Sequence, residues 1–180
     1  MFPLKDATLL LAALLGLAVG WTDYRRRRIP NWLTIPGLVL GVAANTLAGG
    51  WLGAKLSLEG AGLGLVLLFP FVLIRALGAG DWKFTGALGA LLGPHRLLVA
   101  LAGAILLAGL MAVILIVYRR RIGQTVRNIG RLLFAFATGH AGVPSVSLDN
   151  PESLKIPFGV AMAAAVILLA VARLGFHVAV

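Results

Sequence analysis

Five apolar stretches, each close to the length of a bilayer crossing, govern what this 180-residue chain can fold into. They run from Ala7 to Thr22, Trp32 to Ala48, Leu58 to Leu77, Leu97 to Tyr118 and Pro157 to about Phe176. A spanning helix needs about 20 apolar residues, at about 1.5 Å each, to cross a hydrocarbon core of about 30 Å. The chain is 60% hydrophobic and 12% charged. A soluble domain carries about a quarter charged residues, so a soluble globular reading is excluded. The expected fold class is all-α: a polytopic membrane helix bundle forming one membrane-embedded domain over residues 1–180.

A sixth apolar segment, Phe84 to Gly93, has ten residues and as a helix would extend only about 15 Å. The basic residues decide how it is read. Arg25, Arg26, Arg27 and Arg28 follow the first apolar run directly, and an excess of Lys and Arg marks the cytoplasmic side. The N-terminus is therefore expected outside. If the short segment crosses, 12 of the 16 basic residues fall on the cytoplasmic side; if it does not, the division is 8 against 8. About six transmembrane helices are expected on this ground, in a plasma (inner) membrane. The first run does not read as a cleaved secretory signal, because such a signal carries its positive charge ahead of the apolar region.

The net charge of +10 is thus a matter of topology and of contact with anionic lipids, not of nucleic acid binding. Between Arg119 and Lys155 lies one sizeable polar stretch. In it Ile122, Val126, Ile129 and Leu133 recur at helical spacing, as in a helix lying on the cytoplasmic membrane surface, with a plain positive loop as the alternative. Ala137 to Pro151, rich in Pro, Gly and Ser, reads as an irregular connection. The pairs Gly16/Gly20, Gly37/Gly41 and Gly60/Gly64 have the spacing that lets helices approach closely in lipid.

The chain has no cysteine and only three histidines, His95, His140 and His177, spaced unlike metal ligands. Disulfides and thiol nucleophiles are excluded, no metal or other cofactor is implied, and any chemistry falls to the six carboxylates. Asp6, Glu59, Asp149 and Glu152 have ordinary interfacial or solvated positions. Asp23 and Asp81 differ, because each closes or opens an apolar segment and the expected topology puts both at the same membrane face. An ionised Asp within a transmembrane helix costs roughly 2.5 to 3.5 kcal/mol on insertion scales, so it usually has a partner or a task. The plain alternatives are a salt bridge from Asp23 to the neighbouring arginines, and a pair with Lys83 or a helix cap for Asp81. Gly78 and Gly80 raise the functional reading, since missing side chains permit unusual backbone angles and close approach of a foreign extended backbone. Two carboxyls held together can share a proton, one taking a proton from water while the other donates to a carbonyl.

The segments Asp23-Tyr24-Arg25-Arg26-Arg27-Arg28-Ile29-Pro30-Asn31-Trp32-Leu33-Thr34 and Gly78-Ala79-Gly80-Asp81-Trp82-Lys83 resemble the two signature segments of the prepilin peptidases. These are membrane aspartic peptidases of type IV and tight-adherence pilus systems. Lys155-Ile156-Pro157-Phe158-Gly159-Val160 resembles the start of that family's last helix. The resemblance implies removal of the short basic leader of a pilin or pseudopilin precursor at the cytoplasmic membrane border, typically after a glycine. It implies Asp23 and Asp81 as catalytic residues, with Gly78 and Gly80 shaping the loop. Lys83, where the family often has lysine, would contact a substrate carboxylate or modulate Asp81, or else snorkel to the interface. Larger members carry paired cysteines and also methylate the new N-terminus; this chain resembles the short, peptidase-only form. A different class of function, an ion- or proton-coupled transporter using Asp23 and Asp81, would place the two acids in mid-bilayer rather than at helix ends. A non-catalytic partner of a secretion machine is a third reading.

Overall fold

The computed structural model describes residues 4–120 and 157–178, together with Gly123, Thr125, Arg127 and Gly130. It is helical throughout, with α1 at Leu4–Arg26, α2 at Asn31–Leu73, α3 at Ala79–Tyr118 and α4 at Phe158–Val178. Three of these are long and apolar enough to cross a membrane, and α4 contributes a shorter apolar run, Phe158–Arg173. Their outer surfaces carry exposed Leu14, Leu17, Val66, Leu106 and Ile114. That much exposed apolar surface suits hydrocarbon and not water.

Among the described residues four long helices stand where about six were expected, and the backbone explains the difference. α2 has 43 residues and, if straight, would reach about 64 Å, twice a hydrocarbon core. It is not straight. At Gly50 (φ 58°, ψ −140°) the backbone leaves the helical region, and the chain doubles back so far that a Cβ on Gly53 would collide with the Asn45 carbonyl. In α3, Gly93 (φ 73°, ψ 174°) does the same. Thr85 and Leu97 both lie against Gly64, although 12 residues of straight helix would hold them about 18 Å apart. Positive φ is available to glycine without steric cost, so each reversal is made by one residue instead of a loop. The second and third expected spans are therefore the two limbs of α2, and the fourth and fifth those of α3.

The short segment Phe84 to Gly93 becomes the centre of the bundle. All nine residues from Phe84 to Leu92 are buried, against Leu9, Ala12 and Val19 of α1 and Met162 and Val166 of α4 among others. α2 packs mainly on α3, and α1 mainly on α4. The three spaced glycine pairs all sit at helix crossings. Gly16 and Gly20 face Ala163, Gly37 faces Leu15, Gly41 faces Ala90, and Gly64 faces Thr85. Gly60 and Gly89 meet backbone to backbone, so that a Cβ on either would overlap the other's carbonyl.

One polar cluster locks this centre. Pro94 has no N–H, so the Ala90 carbonyl loses its partner one turn ahead. Asn45 Nδ2 donates to it at 2.8 Å and Ser57 Oγ at 2.6 Å; Asn45 also reaches the Leu91 carbonyl at 3.2 Å. Asn45 and Ser57 belong to opposite limbs of α2. A buried carbonyl without a partner costs about 1–3 kcal/mol, and here the two limbs jointly supply the donors.

The expected irregular connection and the apolar stripe Ile122, Val126, Ile129 and Leu133 lie outside the described residues. Gly123, Thr125, Arg127 and Gly130, within the same stretch, are helical.

Candidate active site

Three helix ends converge to bring the two singled-out acids together. Asp23 lies in the last turn of α1 and its carbonyl accepts the Arg27 amide at 2.8 Å, with Arg27 at φ 48° ending the helix. α2 ends at Leu73, earlier than the Leu77 limit of the apolar run. Arg75 at φ 55° turns the chain, and the Ala76 amide closes on the Phe71 carbonyl at 2.9 Å. This is the helix-ending pattern in which a left-handed residue follows the cap. The chain then extends through Gly78, and α3 begins at Ala79, which puts Asp81 in its first turn.

α4 begins beside both acids. A Cβ on Gly159 would stand 2.8 Å from Asp23 Oδ2 and 3.1 Å from its Cγ, so the start of α4 lies directly against Asp23. Asp23 and Asp81 are within electrostatic reach of one another. Asp23 is only 7% exposed, and Asp81 is partly buried. Asp23 Oδ2 and Asp81 Oδ1 are both buried without a hydrogen-bond partner. Among the described residues neither acid forms an ion pair, so the expected salt bridge from Asp23 to its arginines and the Asp81–Lys83 pair are not found. Buried polar atoms are almost always satisfied, so two carboxyl oxygens without a partner among the described residues single this place out.

Gly78 and Gly80 have backbone angles open to any residue, and what distinguishes them is the closeness of their neighbours. Among the described residues only Gly50 and Gly93 are glycines with positive φ. A Cβ on Gly78 would stand 3.1 Å from Asp81 Oδ2. On Gly80 it would stand 3.0 Å from the Cβ of Ile29, so the surface expected to receive a foreign backbone is covered by the chain's own α1–α2 connection. Lys83 turns away from the acid next to it: its Nζ donates to Asn31 Oδ1 at 3.1 Å, tying the first turn of α3 to the first residue of α2. Trp82 donates from Nε1 to the Leu65 carbonyl at 2.7 Å and stacks at a tilt on Phe69, fixing that turn from its other side. Arg25 lies over the Trp21 ring, 4.5 Å from its centroid.

Reading the residues alone missed Ile29, Asn31 and Gly159 as parts of this site. Each stands in a segment quoted for the resemblance, and that was the available signal. Among the described residues no group of three or more His, Cys, Asp or Glu is placed to hold a metal ion.

An all-helical bundle with three helices long and apolar enough to cross a membrane defines a helical membrane protein, and it brings Asp23 and Asp81 to one set of helix ends. Residues 9–113 match the family model described as type IV leader peptidase family, and the chain belongs to that family. It is thus a membrane peptidase. The match contains Asp23 and Asp81 and stops short of α4. No curated protein and no solved structure matches the chain.

Proposed function

We propose that this chain is a prepilin leader peptidase of the aspartic type, cutting the short basic leader from a pilin or pseudopilin precursor at the cytoplasmic border of the plasma membrane. The observation that carries the reading is that Asp23 and Asp81 lie within electrostatic reach of one another, each with a buried oxygen that finds no hydrogen-bond partner among the described residues. When such a pair works together, one carboxyl is ionised and the other holds a proton. The ionised acid takes a proton from water as the water attacks the scissile carbonyl. The protonated acid donates to the carbonyl oxygen, and collapse of the tetrahedral intermediate releases the leader. No cofactor takes part in these steps.

The substrate enters from the lipid, because its apolar segment stays in the membrane, and it presents an extended stretch to the acids. Ile29 covers Gly80, so the α1–α2 connection shifts when the substrate docks. The arginines Arg25 to Arg28 hold this end of the bundle at the cytoplasmic face and meet anionic lipids, each worth about 1 kcal/mol near the surface. Placement of both acids at helix ends supports a peptidase over a transporter, which would use them at mid-membrane.

The test is purified protein in detergent with a synthetic precursor bearing a short basic leader and an apolar segment, analysed by mass spectrometry. Release of the intact leader at one bond is expected. Absence of cleavage by folded wild-type protein overturns the proposal.

A further inference from the structure

Arg27 to Pro30 join α1 to α2, and Ile29 belongs to neither helix. A proline disfavours the helical conformation in the residue before it, and Pro30 is itself extended (φ −76°, ψ 144°), which biases Ile29 to an extended backbone. That backbone lies on Gly80. A Cβ on Gly80 would stand 3.0 Å from Ile29 Cβ, 3.4 Å from its carbonyl oxygen and 3.5 Å from its amide nitrogen. The far end of the same side chain reaches α4: a Cβ on Gly159 would stand 3.0 Å from Ile29 Cδ1 and 2.8 Å from Asp23 Oδ2. Ile29 thus runs from the residue before Asp81 to the residue packed on Asp23, in a slot that two missing side chains leave open. It is half-buried there and packs against the hydrophobic core. A second contact closes the same connection. Lys83 Nζ, two residues past Asp81, donates to Asn31 Oδ1 at 3.1 Å, where the connection enters α2.

We propose that the α1–α2 connection is a gate over the acid pair, with Ile29 as its plug and the Lys83–Asn31 hydrogen bond as its latch. This rests on the reading of Asp23 and Asp81 as the reacting pair, and adds how access to them is controlled. The physical reason is exclusion. An extended backbone on Gly80 is the posture a substrate takes beside the acids, and two backbones cannot occupy that place together. Ile29 therefore leaves before a peptide bond reaches the carboxyls. While it stays, an apolar side chain stands beside Asp23 Oδ2 and keeps water from the acids until a substrate replaces it. The latch is exposed, and a hydrogen bond exchanged with water adds little net stability, so it breaks and reforms at small cost.

The chain has no cysteine, so single thiols can be introduced as probes. In the precursor assay Ile29→Ala is expected to lower KM about three- to tenfold with kcat little changed, because apparent affinity scales with the open fraction and loss of the plug raises that fraction. An unchanged KM or a lower kcat/KM overturns the plug, since Ile29 would then be idle or would support the site instead of covering it. A second measurement needs no activity. The thiol introduced by Ile29→Cys should react with a water-soluble maleimide at least about tenfold more slowly than one introduced by Tyr24→Cys, at an exposed position of α1, because reaction waits on local opening. Adding Lys83→Met should speed the Ile29→Cys reaction several-fold. Equal rates at the two positions overturn the cover, and a rate unmoved by Lys83→Met overturns the latch. If wild-type protein cleaves no precursor, the peptidase reading fails, while thiol labelling still decides whether the connection closes over the acids.

Discussion

Asp23 and Asp81, on helices that run through different parts of the sequence, come within electrostatic reach of one another near the first turn of α4, and among the described residues neither has an ion-pair partner. The arginines next to Asp23 in sequence do not pair with it, and the lysine two residues past Asp81 bonds to Asn31 instead. Burying two carboxyls without an ion-pair partner is expensive.

Asp23→Asn and Asp81→Asn should each lower leader removal by at least about a hundredfold, since each deletes one partner in proton transfer. Both variants should insert and accumulate at wild-type levels, because an amide buried here is cheaper than a carboxylate. Precursor cleavage and protein abundance are read together on immunoblots. Wild-type cleavage by either variant removes that residue from the mechanism.

Cleavage by purified protein should be unaffected by chelators, as the proposed steps use two carboxyls and water. Activity is measured before and after treatment with a strong zinc and magnesium chelator. Loss that added metal restores would replace the mechanism with a metal-assisted one.

The Ala90 carbonyl should show the strongest coupling in the bundle. Asn45→Leu or Ser57→Ala alone leaves it one donor and should cost about 0.5–1.5 kcal/mol, whereas the double variant leaves none and should cost more than the sum by about 1–3 kcal/mol. Unfolding in mixed micelles measures the cycle. Simple additivity would mean that the two bonds are independent of the break at Pro94.

Gly60→Ala and Gly89→Ala should each destabilise the fold by about 1–3 kcal/mol, because a methyl would enter the opposing backbone at the crossing of α2 and α3. Gly62→Ala, on the same helix with nothing within 4 Å of the added atom, should be neutral or slightly stabilising. Equal melting temperatures for all three would show that the crossing is looser than described.

Replacing Arg25 to Arg28 with glutamines should disturb orientation in the membrane before it disturbs chemistry. Protease accessibility of tags at either terminus reports orientation, and turnover per correctly oriented molecule reports chemistry. Normal orientation with turnover selectively lost would place these arginines in the site.

Much of this architecture could be read along the chain, for reasons that are local. Apolar runs of bilayer length dictate helices, since a backbone in hydrocarbon must satisfy its own hydrogen bonds. Asp23 and Asp81 were conspicuous because a carboxylate at the edge of such a run is costly, and the glycine spacings announced close helix crossings that the fold does contain. The count of helices was less legible. Gly50 and Gly93 look like any other glycine in an apolar run, and only the fold shows that each reverses the chain without a loop. The surroundings of Gly80 were illegible for the same reason, because the neighbour that fills the space above it is Ile29, far away in sequence.

Sequence by itself determined the helical membrane fold, the two acids and the family motifs around them, all consequences of composition and short spacing. Only the tertiary structure decided that the Asn45 and Ser57 side chains share one orphaned carbonyl, that Lys83 donates to Asn31, and that Gly159 at the start of α4 lies against the Asp23 carboxyl. Those contacts join residues distant along the chain. They depend on where whole helices cross, which is set by the summed packing of many side chains and is not encoded at any one position.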